Sequence, residues 1–219
     1  MTNPAGTPAD DTKYDRQLVV ALLDGADDHP FMEQAVALDA KHRDPPLPSE
    51  WVSLRLGLSS ADAAGVRALQ DAIAGRRQVQ SPVTRRSRLY VVGRSDANAL
   101  TLGGWSSSGV AGLLVLGGLR ELALLSIVGD GAGLDPQHDQ AGQTDADAVS
   151  FASELHRLLR VVHGVETFVN ARVGAVRVRA DGRKLTAMQI DEQPARHKAA
   201  QSKIGIRWVG DEQHREWSY

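Results

Sequence analysis

The strongest constraint on this chain lies between Ser87 and Gly131, where two short apolar runs each stop at a glycine–polar turn. Arg88-Leu89-Tyr90-Val91-Val92 ends at Gly93-Arg94-Ser95-Asp96, and Leu122 to Val128 (LALLSIV) ends at Gly129-Asp130-Gly131. Runs of this kind suit central strands of a parallel sheet, buried on both faces. The turns beyond such strand ends form the crevice where ligands and reacting groups gather. Arg94 and Asp130 are the residues delivered there.

The flanking chain continues the alternation of strand and helix. Gln17 to Leu23 (QLVVALL) reads as a strand. Pro30 suits a first helical turn, followed by Met32, Ala35, Val36 and Leu38 and closed by Lys41-His42-Arg43 before Pro45-Pro46. Trp51 to Leu58 alternates as a half-buried strand, and Ser60-Ala61-Asp62 caps a helix towards Ala74. Ser106 to Ser108 cap a helix between the two central strands, and Ala146 to Arg160 is amphipathic. Val165 to Ala171 is a further strand, Asp181-Gly182 a hairpin turn, and Ile204 to Trp208 the last strand of a C-terminal meander. This order predicts an α/β fold with a central mostly parallel sheet, helices on both faces and a C-terminal β-flap. The domain spans 12–209, between a flexible N-terminal tail at 1–11 and a polar C-terminal tail at 210–219.

Length and composition set the outer limits. A chain of 219 residues supports one sizeable core and is short for two ordinary domains. The absence of cysteine excludes disulfides, thiolate metal sites and a cysteine nucleophile together. No charged-then-apolar leader is visible, so no classical signal peptide is expected. The longest apolar run, Val110 to Leu119, contains three glycines and falls far short of the ~20 residues of a membrane span. A soluble protein is expected, with no metal, since the histidines show no ligand spacing, and no nucleic-acid partner; the net charge of −2 says nothing by itself about partners.

Arg94 and Asp130 have two readings, a structural pair or solvated loop residues on one side and a reactive pair on the other. Adjacent strand ends are expected to bring them into a charge-assisted hydrogen bond, direct or through water. Arginine stays charged and cannot exchange protons with Asp130, and its charge makes the carboxylate a poorer base. The basic residues Lys41, His42, Arg88, Arg183, Lys184, Lys198 and Lys203 default to solvated faces. If they converge, they form a multidentate polyanion site of Arg forks and Lys point charges.

From about Thr12 to Trp208 the chain resembles the autoprocessing cysteine-protease domain of large bacterial multifunctional and glucosylating toxins. The resemblance is carried in order by Thr12-Lys13-Tyr14-Asp15-Arg16-Gln17, Ala40-Lys41-His42, Arg88 to Gly93 and Gly104-Trp105-Ser106. It continues through Leu125 to Gly129, Asp181-Gly182-Arg183-Lys184-Leu185-Thr186, and Lys198 with Lys203 before Trp208. It implies a caspase-like three-layer sandwich. Arg94 stands where that family has its histidine and Asp130 where it has its cysteine, so thiolate and base are both missing. The implied protein is a pseudoenzyme, not an enzyme. The resemblance further implies a regulatory ligand, inositol hexakisphosphate, held at Lys41, His42, Arg88, Arg183, Lys184, Lys198 and Lys203, with Arg172 a further candidate. It implies a bacterial effector or toxin module, delivered into a host cell by a specialised system, that engages a protein partner in its ordered state. The alternatives are a hydrolase of another class using Asp130 and a purely structural interaction module.

Overall fold

The computed structural model describes residues 14–25, 28–41, 47–55, 62–96, 99–130, 132–133, 150–172, 175–190, 193–197 and 203–218. For 175, 177, 185–190, 193–197 and 217–218 it describes the backbone alone. In chain order the elements are β1 (Gln17–Leu23), α1 (His29–Ala40), β2 (Ser49–Arg55), α2 (Ala63–Ile73), β3 (Arg88–Gly93), β4 (Ser95–Asp96), β5 (Thr101–Leu102) and β6 (Trp105–Ser106). There follow α3 (Ser107–Leu116), β7 (Leu124–Val128), α4 (Phe151–Val161), β8 (Phe168–Arg172), β9 (Ala175–Val178), β10 (Lys184–Ile190), β11 (Gln193–His197), β12 (Lys203–Val209) and β13 (Glu212–Ser218).

A seven-stranded sheet in the order β13-β12-β8-β7-β3-β1-β2 forms the centre. β2, β1, β3, β7 and β8 run parallel, and β12 and β13 add an antiparallel hairpin at one edge. β1, β3 and β7 are buried at every position, which is why their sequences are mostly apolar, with Gln17, Arg88 and Ser126 the buried polar exceptions. Local chemistry starts the helices, at Asp62 and Ser106 as expected and at Ser150 inside the stretch read as helix from Ala146. Asp62 accepts from the Ala64 N–H at 2.9 Å, Ser106 from Gly109 N–H at 3.1 Å and Ser150 from Ser153 N–H at 3.2 Å.

The connection order explains how the layers are filled. The chain moves from β1 outwards to β2, then reverses and builds β3, β7 and β8 on the other side of β1. Right-handed crossovers put the helix of the first step on one face and the helices of the reversed steps on the other. Accordingly Leu69, Ala72, Val110, Leu114, Ala152 and Leu155 of α2, α3 and α4 share one core with Leu18, Val20 and Leu22. Ala35 and Leu38 of α1 share the second with Val19, Ala21, Leu23, Tyr90 and Val92. α1 is the only helix among the described residues on its face. Beside it, the three-stranded sheet β11-β10-β9 contributes Val176 and Val178 to the second core.

The C-terminal segment differs from its sequence reading. β12 pairs with β8 in the main sheet instead of ending the meander, because Ile204 and Ile206 reach the α4-side core. The stretch read as a polar tail at 210–219 contains β13, a polar edge strand whose Gln213 bonds His156 and whose Glu216 pairs with Arg207. β2 begins at Ser49 and ends at Arg55. The tail at 1–11 and the start of the helix expected from Ala146 lie outside the described residues. No helix among the described residues is long and apolar enough to cross a membrane.

Candidate anion-binding site

At the carboxyl ends of the central strands, Arg94 and Asp130 do not meet. Among the described residues no ion pair joins them. Arg94 instead reaches Asp24, beyond the end of β1, with Nε 3.6 Å from Oδ2. The Asp130 carboxylate accepts from the Val176 N–H at 2.6 Å, tying the end of β7 to the start of β9. The reason is local: Arg94 is paired from the end of the neighbouring strand β1, and Asp130 from the start of β9. Among the described residues no hydrogen bond joins a hydroxyl or an imidazole to the Asp130 carboxylate.

The basic residues behave differently. On β3, side chains alternate, so Arg88 and Tyr90 point to the same face, and the Arg88 Cζ lies 5.2 Å from the Tyr90 ring centroid. Its Nε donates to Gln17 Oε1 at 2.9 Å, while Gln17 Nε2 donates to the Leu38 carbonyl of α1 at 2.8 Å. Tyr14 stacks on the same guanidinium at 5.3 Å. Arg88 is thereby buried and held in one orientation.

Tyr90, Ser126, Asn170 and Gly205 form one lateral row across β3, β7, β8 and β12. Arg172 lies two residues beyond Asn170 on the same face, and its register partner on β12 is Lys203. Arg172 Nη1 and Asn170 Oδ1 are buried and make no hydrogen bond. Burial lowers the Arg172 pKa from its ordinary value, with the Tyr90 hydroxyl acting in the opposite direction.

Lys184 enters from above on the β9–β10 hairpin. Gly182 turns that hairpin with φ +73°, and a Cβ there would fall 2.5 Å from Lys41 Cβ and 2.7 Å from the Ala37 carbonyl. Only glycine allows this approach, and it presses the turn onto the end of α1. The Lys184 ammonium then lies 4.1 Å from the centroid of the Tyr90 ring. Its pKa is driven well below the ordinary lysine range, first by burial and then by the charges of Arg172, Lys41, Arg88 and Lys203. A like charge about 8 Å away costs roughly 2 kcal/mol at an effective dielectric of 20. The Tyr90 face returns only ~0.5–2 kcal/mol. With four surrounding cations, repulsion wins.

Thus Lys41, Arg88, Arg172, Lys184 and Lys203 come together, from α1, β3, β8, β10 and β12. Arg183 does not: it is exposed on the turn with Nε 3.9 Å from Asp181 Oδ2. His42 and Lys198 lie outside the described residues. Sequence reasoning missed Tyr90, the aromatic platform, and the buried Asn170. Strand alternation from Arg88 was the available signal for Tyr90.

Elsewhere, a groove of about 790 Å³ runs between α1, Trp51 of β2 and Val178. Its lining is largely apolar, with the His29–Glu33 pair at its rim. Among the described residues no cluster of His, Asp or Glu is placed to hold a metal ion. Comparison with protein-family models and with curated proteins gives no match.

Proposed function

We propose that this chain is a catalytically inactive, protease-like domain of caspase-like architecture that binds inositol hexakisphosphate and engages a protein partner in the ligand-ordered state. The observation that carries the reading is the convergence of Lys41, Arg88, Arg172, Lys184 and Lys203 around one tyrosine, where all the charges acting on Lys184 are positive. Several cations held close together repel one another and suit a ligand that brings many anionic oxygens at once. The pseudoenzyme part rests on the absence of cysteine and on Arg94 and Asp130 each being engaged by Asp24 and Val176. The setting as a bacterial effector or toxin module, delivered into a host cell, rests on the resemblance alone.

Thermal unfolding during a titration tests the ligand. A ligand binding only the folded form at ~1,000 times its dissociation constant stabilises by ~4 kcal/mol. For a domain of this length, inositol hexakisphosphate is then expected to raise the melting temperature by roughly 8–16 °C. Inositol, or sulfate at matched ionic strength, is expected to do far less. A flat titration overturns the reading and leaves the basic residues as part of an interaction surface.

A further inference from the structure

We propose that Lys184 is the proton-linked element of the basic site: an uncharged amine in the free protein that takes up a proton as a polyanion binds. The inference rests on the polyanion reading above and adds how the site is regulated.

The geometry confines the amine on every side. Lys184 is partly buried beneath the β9–β10 turn, with its Nζ over the Tyr90 ring. α1 presents Lys41, β3 presents Arg88 and Tyr90, β8 presents Arg172, and β12 presents Lys203. On its own hairpin, the carboxylate of Asp181 lies beside Arg183 and accepts from the Arg183 N–H at 3.0 Å. The acidic groups on these elements are Glu33 and Asp39 of α1, engaged by His29 and Ser49, and Asp181 of the turn, and none of them is among the charges that act on Lys184. The arginines cannot relieve the repulsion by losing protons, since guanidinium stays charged in proteins. A lysine can, and Lys184 is the one held against the Tyr90 ring. Desolvation and like charge together are the two conditions that keep a lysine neutral.

A polyanion reverses both conditions. Its oxygens neutralise the surrounding cations and offer hydrogen-bond acceptors to an ammonium, so the charged form becomes the favoured one. Binding then consumes a proton. The sign follows: affinity is highest where Lys184 is already charged, and it falls by up to tenfold per pH unit above the point where the free protein loses that proton. The site therefore binds more tightly as the surroundings acidify.

Inositol hexakissulfate is the probe of choice, because its charges do not change between pH 6 and 9. Over that range ordinary lysines also keep their protons. Isothermal titration calorimetry in buffers of different protonation enthalpy counts the protons taken up. Wild type is expected to approach one proton per molecule bound at pH 8, and Lys184→Arg to bind with close to none. Comparison with Lys184→Arg cancels every other titrating group, His42 included. Equal uptake in the two proteins, or binding without uptake in wild type, overturns the proposal.

A second measurement needs no ligand. In protein labelled with ¹³C at lysine, Lys184 is identified among Lys13, Lys41, Lys198 and Lys203 by its loss in Lys184→Arg. It is expected to titrate well below the others. Titration together with them overturns the proposal even if anions bind. A low-titrating Lys184 in a protein that binds neither inositol hexakisphosphate nor the hexakissulfate overturns the polyanion reading, and the coupling with it.

Discussion

Two groups of buried charge lie in this molecule, and they are built in opposite ways. Arg16 and Glu50 are both about 1% exposed and pair directly, and Arg16 also donates to the Ala72 carbonyl at 2.7 Å and to the Ser81 carbonyl. Arg77 adds a second cation, its Nε 3.6 Å from the other Glu50 oxygen. Burial lowers the Arg16 pKa, and Glu50 opposes that shift. Around Lys184 burial acts in the same direction, but the surrounding charges reinforce it. The lesson is that buried charge alone does not mark a binding site. The Arg16 group supplies its own counter-ion and joins β2 to the segments before β1 and β3. The charges that act on Lys184 are all positive, and that suits the group to an external anion.

The largest expected effect comes from breaking the compensated group. Glu50→Gln leaves Arg16 buried without a counter-charge, which typically costs about 3–5 kcal/mol. Calorimetry is expected to show a melting temperature lower by roughly 6–20 °C. Lys41→Ala or Lys203→Ala in the basic group is expected to leave the free protein as stable, or more so. If Glu50→Gln costs no more than Lys203→Ala, the contrast between the two groups disappears.

The next test lies within the basic residues. Lys41→Ala combined with Lys203→Ala is expected to abolish most of the melting shift with inositol hexakisphosphate. Arg183→Ala, on the exposed turn beside Asp181, is expected to retain most of it. The reverse result would move the site from the Tyr90 platform to the hairpin tip.

A third buried base extends the comparison to a group kept neutral by design of its contacts. His156 accepts from Gln213 Nε2 at Nδ1 (2.8 Å) and donates from Nε2 to the Thr167 carbonyl (3.0 Å), a satisfied neutral ring. Burial lowers its pKa to about 4, with Arg160 acting in the same direction and the bond to Thr167 opposing it. The unfolded chain binds this proton near pH 6.5, so stability is lost as pH falls from about 6.5 towards 4, by ~3 kcal/mol in total. Chemical denaturation of His156→Gln at pH 7 and pH 4.5 is expected to show a smaller loss than wild type. An unchanged pH dependence would assign the acid sensitivity elsewhere.

The smallest effect is expected at the carboxyl ends of the strands. Asp130→Ala removes one acceptor from Val176 N–H at an exposed position and is expected to cost about 0.5–1.5 kcal/mol. A peptidase or esterase activity that is lost in Asp130→Asn while the protein stays folded would restore the hydrolase alternative.

Much of the scaffold was legible in the chain. β1, β3 and β7 announce themselves because burial on both faces demands mostly apolar runs, and Asp62 and Ser106 start their helices by local hydrogen bonds. β13 was not legible, because a polar strand at a sheet edge has the composition of a loop, and the two-residue strands β4, β5 and β6 are too short to carry a period.

For the site, the sequence by itself determined the chemistry available: cations, no thiol, and an arginine and a carboxylate where two strands end. Tertiary structure decided which of them act together. Arg183 and Lys184 are neighbours with the same charge, yet strand alternation and the Gly182 turn send one to solvent and the other over Tyr90. Lys41 and Lys203 lie far apart along the chain and meet because the strand order reverses after β1. That reversal leaves α1 as the only helix among the described residues on its face, and the hairpin that brings Lys184 packs beside it.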